Sequence, residues 1–165
     1  LTILGVILLT VSSKISSPFY PVPMTLQTLV VFFIAASMGL IGFYSTLIYV
    51  VLGVLGLPLF ANGGGIGYIF SPTFGFLYGM VISAFIIAYI LKSEVKTGLI
   101  KLSATILAGA FVIFLCGISH LSFFVGLEQA INLGLLPFLY SEFLKIVLAI
   151  AIIFGLIQRV NQKNS

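Results

Sequence analysis

The chain has 165 residues, of which 61% are hydrophobic and 6% charged, with a formal net charge of +4. Seven Lys or Arg and three acidic residues cannot clothe a core of this size in a polar shell, so the composition excludes a soluble globular domain and indicates a single multi-pass membrane domain over residues 1–165. With Cys116 as its one thiol the chain can form no internal disulfide, which leaves the redox compartment open.

A membrane crossing needs about 20 predominantly apolar residues. With Gly, Pro and polar clusters as punctuation, six spans are predicted. The first runs from Leu1 to about Val11 and ends in the polar SSKISSP; because the chain opens on Leu1 and not on Met, it is read as a truncated span. No small-residue cleavage pattern leading to a soluble domain follows it, which argues against a signal peptide. The second and third spans share the apolar run from Leu26 to about Leu57, broken near Gly39 and Gly42, where two short helices turn back on each other. The fourth runs from about Phe74 to Leu91, the fifth from Leu102 to Val125 and the sixth from Phe138 to Val160. An all-α fold follows.

Charge gives a second view of the same arrangement. Lys92, Lys96 and Lys101 lie between spans four and five, and Arg159 and Lys163 follow span six. With six spans both basic segments fall on one side, which the positive-inside rule makes cytoplasmic, together with both termini. The outer connections are then SSKISSPFYPVPM, GLPLFANGGGIGYIFSPTFGF and VGLEQAINLGLLP. Three long loops rich in Pro and Gly share one face, where function is commonly carried. The middle one has six glycines and no charge, and such backbone survives at membrane depth only when protein or a watery cavity surrounds it. A re-entrant lid is expected there. No internal repeat supports an inverted-repeat transporter, and no GxxxxGK[ST] string is present, so the chain cannot hydrolyse ATP by itself.

Polar residues inside spans are costly, and each needs a reason. In PFLYSEFLK, Pro137 suits a first helical position, and Glu142 and Lys145 stand three apart on one face near the outer end. They form either a self-neutralising pair or part of a ligand site. Thr25 and Gln27 follow the stiff Pro21 and Pro23; Thr25 as a cap with Gln27 among headgroups competes with a binding role. Asn62, followed by Gly63, Gly64 and Gly65, is either a turn residue or a polar contact of the lid. Cys116 and His120 share a helix face at i, i+4, a spacing open to thiol or metal chemistry, but no further His, Cys or Asp exists to complete either. A structural histidine is the competing reading. No metal is expected, and no nucleic-acid partner.

PVPMTLQTL, YVVLGVLGLPLFANGGGIGYIFSPTFGF and PFLYSEFLK, in this order and spacing, resemble the signature regions of the BioY family, the biotin-binding S components of energy-coupling factor transporters. The resemblance covers nearly the whole chain. It implies a six-helix S component of the cell membrane that captures biotin from outside as a transported ligand, without a cofactor. Its partners would be membrane lipid, a coupling transmembrane protein and two cytoplasmic ATPases, and it would topple within the bilayer. Asn62 falls in the family's ligand-covering loop, Lys145 stands at its span-six lysine, and Glu142 stands where the family usually has Asp. The chain departs from the family where PTGGY reads Pro72, Thr73, Phe74, Gly75, Phe76, and where Gly5 is followed four later by Leu9 and not by a second small residue.

Biotin presents two ureido N–H donors, a ureido carbonyl, an apolar ring and chain, and a carboxylate. On the implied ligand, Glu142 can accept from the ureido N–H groups, and Asn62 can donate and accept at the same ring. Lys145 can neutralise Glu142 or meet the ligand carboxylate. Gln27 and Thr25 add polar contacts, Tyr49, Phe60, Tyr68 and Phe74 are candidate apolar walls, and Gly63, Gly64, Gly65 and Gly67 supply the mobile backbone of the lid. Three other functions remain open: an S component for another vitamin, a membrane enzyme using Cys116 and His120, and an assembly subunit without a ligand.

Overall fold

The apolar runs fold as helices, and the breaks between them fall where glycine, proline or a polar cluster interrupts the pattern. The computed structural model describes residues 1–18, 20–92 and 97–163. Lys96 and the side chain of Lys163, both part of the charge pattern, lie outside what is described.

Helix α1 spans Thr2–Lys14, three residues beyond the predicted end at Val11. The first two serines of SSKISSP do not stop it, because their hydroxyls find carbonyls of the preceding turn: Ser12 Oγ donates to Leu9 O at 2.8 Å, and Ser13 Oγ lies 2.7 Å from Thr10 O. A two-residue antiparallel pair follows, β1 (Ser16–Ser17) with β2 (Met24–Thr25), where only irregular loop was expected.

Helices α2 (Gln27–Met38) and α3 (Leu40–Val54) form a tight hairpin. Its joint is Gly39 alone, at φ 58° and ψ −131°. Gly42 is not part of the break. It lies inside α3 as a contact point, where a Cβ would sit 2.2 Å from Ile34 O, so only glycine lets the two backbones approach this closely.

Helices α4 (Phe74–Leu91) and α5 (Leu99–Val125) make the most extensive pairing in the molecule. Small residues again set the distance. A Cβ on Gly109 would lie 2.7 Å from Ile87 and Ser83, and one on Gly117 would lie 2.3 Å from the Phe76 ring. The expected outer connection VGLEQAINLGLLP is itself helical: α6 (Leu127–Gly134) begins at Gly126 with Glu128 in its first turn, where a carboxylate favours the helix dipole. A 3-10 turn, Leu136–Phe138, contains Pro137 and leads into α7 (Leu139–Lys163).

Among the described residues, three stretches are long and apolar enough to cross a membrane, Phe74–Leu91, Leu99–Val125 and Leu127–Val160. Thr2–Lys14, Gln27–Met38 and Leu40–Val54 are shorter apolar helices. The outward faces of α1 and α7 carry Ile3, Ile7, Phe143, Val147 and Leu148, a surface suited to lipid. Lys92, Lys101 and Arg159 lie toward one end of α4, α5 and α7; Phe74, His120 and Glu142 lie toward the other.

Candidate ligand-binding site

At the end of the bundle where α2, α4 and α7 begin, a narrow cavity opens beneath the glycine-rich connection. Gln27 and Thr28 of α2, Phe76 and Met80 of α4, Phe114 of α5, Phe138 and Glu142 line it, together with Thr25 from β2 and Phe60 and Tyr68 from the connection. Counting its mouth and the solvent there, the cavity holds about 560 Å³ of empty space. An apolar slot with a few convergent polar groups is the usual form of a small-molecule site.

The polar groups converge from α2 and α7. Glu142 is 5% exposed and Lys145 6%, and their side chains form a direct ion pair across one helical turn. Thr28 Oγ1 donates to Glu142 Oε1 at 3.0 Å, and Lys145 Nζ also reaches Thr28 Oγ1 at 3.3 Å and the Thr25 carbonyl at 2.7 Å. All the partners named for Glu142 thus fall on Oε1. Its second oxygen, Oε2, is buried with no hydrogen-bond partner. A buried carboxylate oxygen without a donor is expensive to leave so, and it marks where a ligand donor would be accepted.

A second polar chain runs behind the cavity wall. The Thr25 hydroxyl donates to Gln27 Oε1 at 3.0 Å and lies 3.3 Å from the Gln27 backbone nitrogen, so it holds both the side-chain amide and the first N–H of α2, although it is not the N-cap residue. Gln27 Nε2 donates to Tyr49 OH at 2.8 Å, and Tyr49 OH donates to Leu59 O at 3.1 Å. The Tyr49 ring meets Phe60 edge-on with centroids 5.5 Å apart, and Phe60 packs on Tyr68 at 4.7 Å. Phe60 belongs to the connection yet is 1% exposed, because Gly53 vacates the space its ring fills.

The structure therefore brings together Glu142, Lys145, Gln27, Thr25, Phe60 and Tyr68, with Tyr49 one layer back. Lys145 reaches the same cluster from a neighbouring groove formed with Ser16, Ser17 and Ser141. Two candidates stand elsewhere. Asn62 is exposed on the turn that the Phe60–Gly63 bridge closes, outside the cavity lining. Phe74 turns to the other side of α4, against Tyr78 and His120. Gly63 and Gly65 have φ of 115° and 112°, Gly64 packs against the end of α3, where a Cβ would lie 2.1 Å from Leu57 O, and Gly67 sits in open space within the 3-10 turn Ile66–Phe70.

Cys116 and His120 share Tyr78 as a neighbour but make separate hydrogen bonds. The Cys116 carbonyl accepts from Tyr78 OH at 3.2 Å, whereas His120 Nε2 contacts Ser71 O at 3.1 Å. Among the described residues, no group of three His, Cys, Asp or Glu comes together. Gly5 and Leu9 both face inward, with Gly5 against Ser45. Thr28, Phe76, Met80 and Phe138 are lining residues that sequence reasoning passed over. Thr28 carried a signal, since it sits three residues after Thr25 at the start of a helix. The apolar ones carried none, because nothing separates a cavity wall from any other core position until the helices are packed.

The sequence profile described as the BioY family matches residues 1–162. The biotin transporter BioY of Thermotoga maritima is 38% identical over 145 residues, covering 86% of this chain and 85% of that protein. A probable biotin transporter BioY of Pyrococcus horikoshii is 39% identical over 154 residues, covering 92% and 91%. In three dimensions the chain shares the fold of the crystal structure of an S-component for biotin from an ECF-type ABC transporter, with a TM-score of 0.82 over 94% of this chain and 87% of that one at 21% identity.

Proposed function

The chain belongs to the BioY family, and on that premise we propose that it is the biotin-binding subunit of a vitamin uptake system in the cell membrane. The observation that carries the proposal is the unpartnered Oε2 of Glu142, buried at an aromatic-walled cavity. A ureido N–H donated to that oxygen makes a charge-assisted bond of about 1.5 to 3 kcal/mol. Gln27 and Thr28 lie within the same polar end, and Phe60, Phe76 and Tyr68 flank the apolar rings.

Lys145 acts in this reading as the counter-charge of Glu142, with the Thr28 hydroxyl bonded to both. Asn62 turns inward from its exposed place when the connection closes over bound ligand. All six apolar segments cross the bilayer, with both termini and the Lys92, Lys101 and Arg159 end in the cytoplasm. On the family reading, transport is driven by a coupling membrane protein and two cytoplasmic ATPases, and the lack of a nucleotide motif in this sequence agrees with that.

Thermal unfolding of the detergent-purified protein tests the proposal. A ligand that binds only the native state raises stability by about 2.7 kcal/mol at one hundred times its Kd. Biotin is expected to raise the midpoint, with thiamin and riboflavin inactive at equal concentration. A shift with either of those, and none with biotin, overturns the choice of ligand.

A further inference from the structure

The connection that covers the cavity is held at both ends by side chains that do not line it. At the near end Phe60 O accepts the Gly63 N–H at 3.2 Å, closing the turn, and also Lys14 Nζ at 2.6 Å from the last turn of α1. The preceding carbonyl, Leu59 O, receives Tyr49 OH at 3.1 Å and lies 2.7 Å from Ser13 Oγ. At the far end Ser71 O accepts the Phe74 N–H at 3.1 Å, opening α4, and His120 Nε2 at 3.1 Å from α5. A carbonyl only accepts, so Nε2 carries the proton.

Each end carbonyl therefore takes one local N–H and one donor from a helix 46 or 49 positions away in the chain. His120 is seated among Phe74, Tyr78 and Phe124, and Gly75 makes the room: a Cβ there would lie 2.4 Å from His120 Cβ. Between these ends the backbone runs through Gly63 and Gly65 at positive φ into the 3-10 turn that carries Tyr68 to the cavity. The Gly65 N–H rests on Gly53 O at 2.7 Å, while Ile66 and Phe70 are 74% and 76% exposed. The middle of the cover is thus lightly held, and its ends are tied.

We infer that Lys14 and His120 are positioning residues that clamp the two ends of the cover. Opening is confined to the segment between them, and the rate of ligand departure is set by groups outside the cavity. The second part rests on the biotin-binding reading above; the first does not.

The test compares Lys14→Met and His120→Phe, which keep the stem and the ring but remove the donor, with Lys14→Arg and His120→Gln, which keep a donor. Hydrogen exchange across residues 59–73 is followed in the ligand-free protein, and biotin dissociation is measured separately. Loss of either donor is expected to raise exchange at its own end of the cover and to speed biotin dissociation by about tenfold, the equivalent of one net hydrogen bond. Association should stay within about twofold, and the donor-keeping variants should match the parent. Exchange unchanged in both Lys14→Met and His120→Phe overturns the clamps whether or not biotin binds. Raised exchange in a protein that binds no biotin upholds the clamps and removes only the choice of ligand. A similar rise in exchange for the donor-keeping variants overturns the inference, since the effect would then be general loosening.

Discussion

Thr28 and Glu142 lie 114 positions apart in the chain, yet their side chains meet at 3.0 Å inside the protein. That bond, with Lys145 reaching both groups, joins the first turn of α2 to the first turn of α7. Three polar residues here stabilise one another in a place where each alone would be costly.

Removing one charge leaves the other buried without compensation, which typically costs about 3 to 5 kcal/mol. Glu142→Ala and Lys145→Met are each expected to lower stability by that amount. The pair Glu142→Ala with Lys145→Met is expected to lose less than the sum of the single losses, since no lone charge remains. Thermal unfolding of the four proteins of the double-mutant cycle measures the difference.

Tyr49→Phe removes the hydroxyl that accepts from Gln27 Nε2 and donates to Leu59 O. Leu59 O keeps Ser13 Oγ at 2.7 Å, but the Gln27 amide loses its acceptor in a 4% exposed side chain. The expected loss is about 1 to 3 kcal/mol of stability. Adding Ser13→Ala should cost more in the Tyr49→Phe background than alone, because only there is Leu59 O stripped of both donors.

Gly53→Ala places a methyl where Phe60 Cζ stands, at a built distance of 2.2 Å. The Phe60 ring must leave its seat, and with it the wall shared with Tyr49 and Tyr68. Biotin affinity is expected to fall by at least about tenfold, more than one wall contact would explain, with the protein still folded by circular dichroism. Equal affinity in the variant would separate the Phe60 seat from the site.

Within the glycine run the outcomes should differ by position. Gly65 has φ 112° and ψ 163°, a region nearly closed to other residues, so Gly65→Ala is expected to cost about 1 to 3 kcal/mol. Gly67 has open space and ordinary backbone, and Gly67→Ala should be neutral. Asn62→Ala, at an exposed turn, should leave ligand-free stability within about 0.5 kcal/mol. If Asn62 turns inward on closure, the same substitution weakens biotin binding; isothermal titration distinguishes this from a residue that only shapes the turn.

Much of the site was legible before folding. Glu142 and Lys145 stood out because charge inside an apolar helix demands a partner, and three-residue spacing put them on one face. Gln27 and Thr25 stood out at a helix start after two prolines. The connection was legible as broken helix but not as the carrier of a buried ring, since the seat for Phe60 is made by Gly53 in a different element. Lys14 read as loop polarity, because the hydrogen bonds that extend α1 through Ser12 and Ser13 use side chains on their own backbone. Helix α6 was hidden between Gly126 and Gly134, which look like loop punctuation and instead bound a short helix. The face that Phe74 presents was undecidable, because its neighbour Phe76 is an equally good wall and only packing against Gly117 selects it.

The hairpin of α2 and α3 also restricts how this chain can change in length. Gly42 fits against Ile34 and Ala35 with no tolerance for sliding, and the Gln27 to Tyr49 bond spans the hairpin above that contact. One residue inserted between Gln27 and Ile34 would turn the start of α2 by about 100° relative to Gly42. Gln27 and Thr28 would then face away from Tyr49 and Glu142 together. Drift in this stretch should therefore proceed by substitution and hardly ever by insertion or deletion.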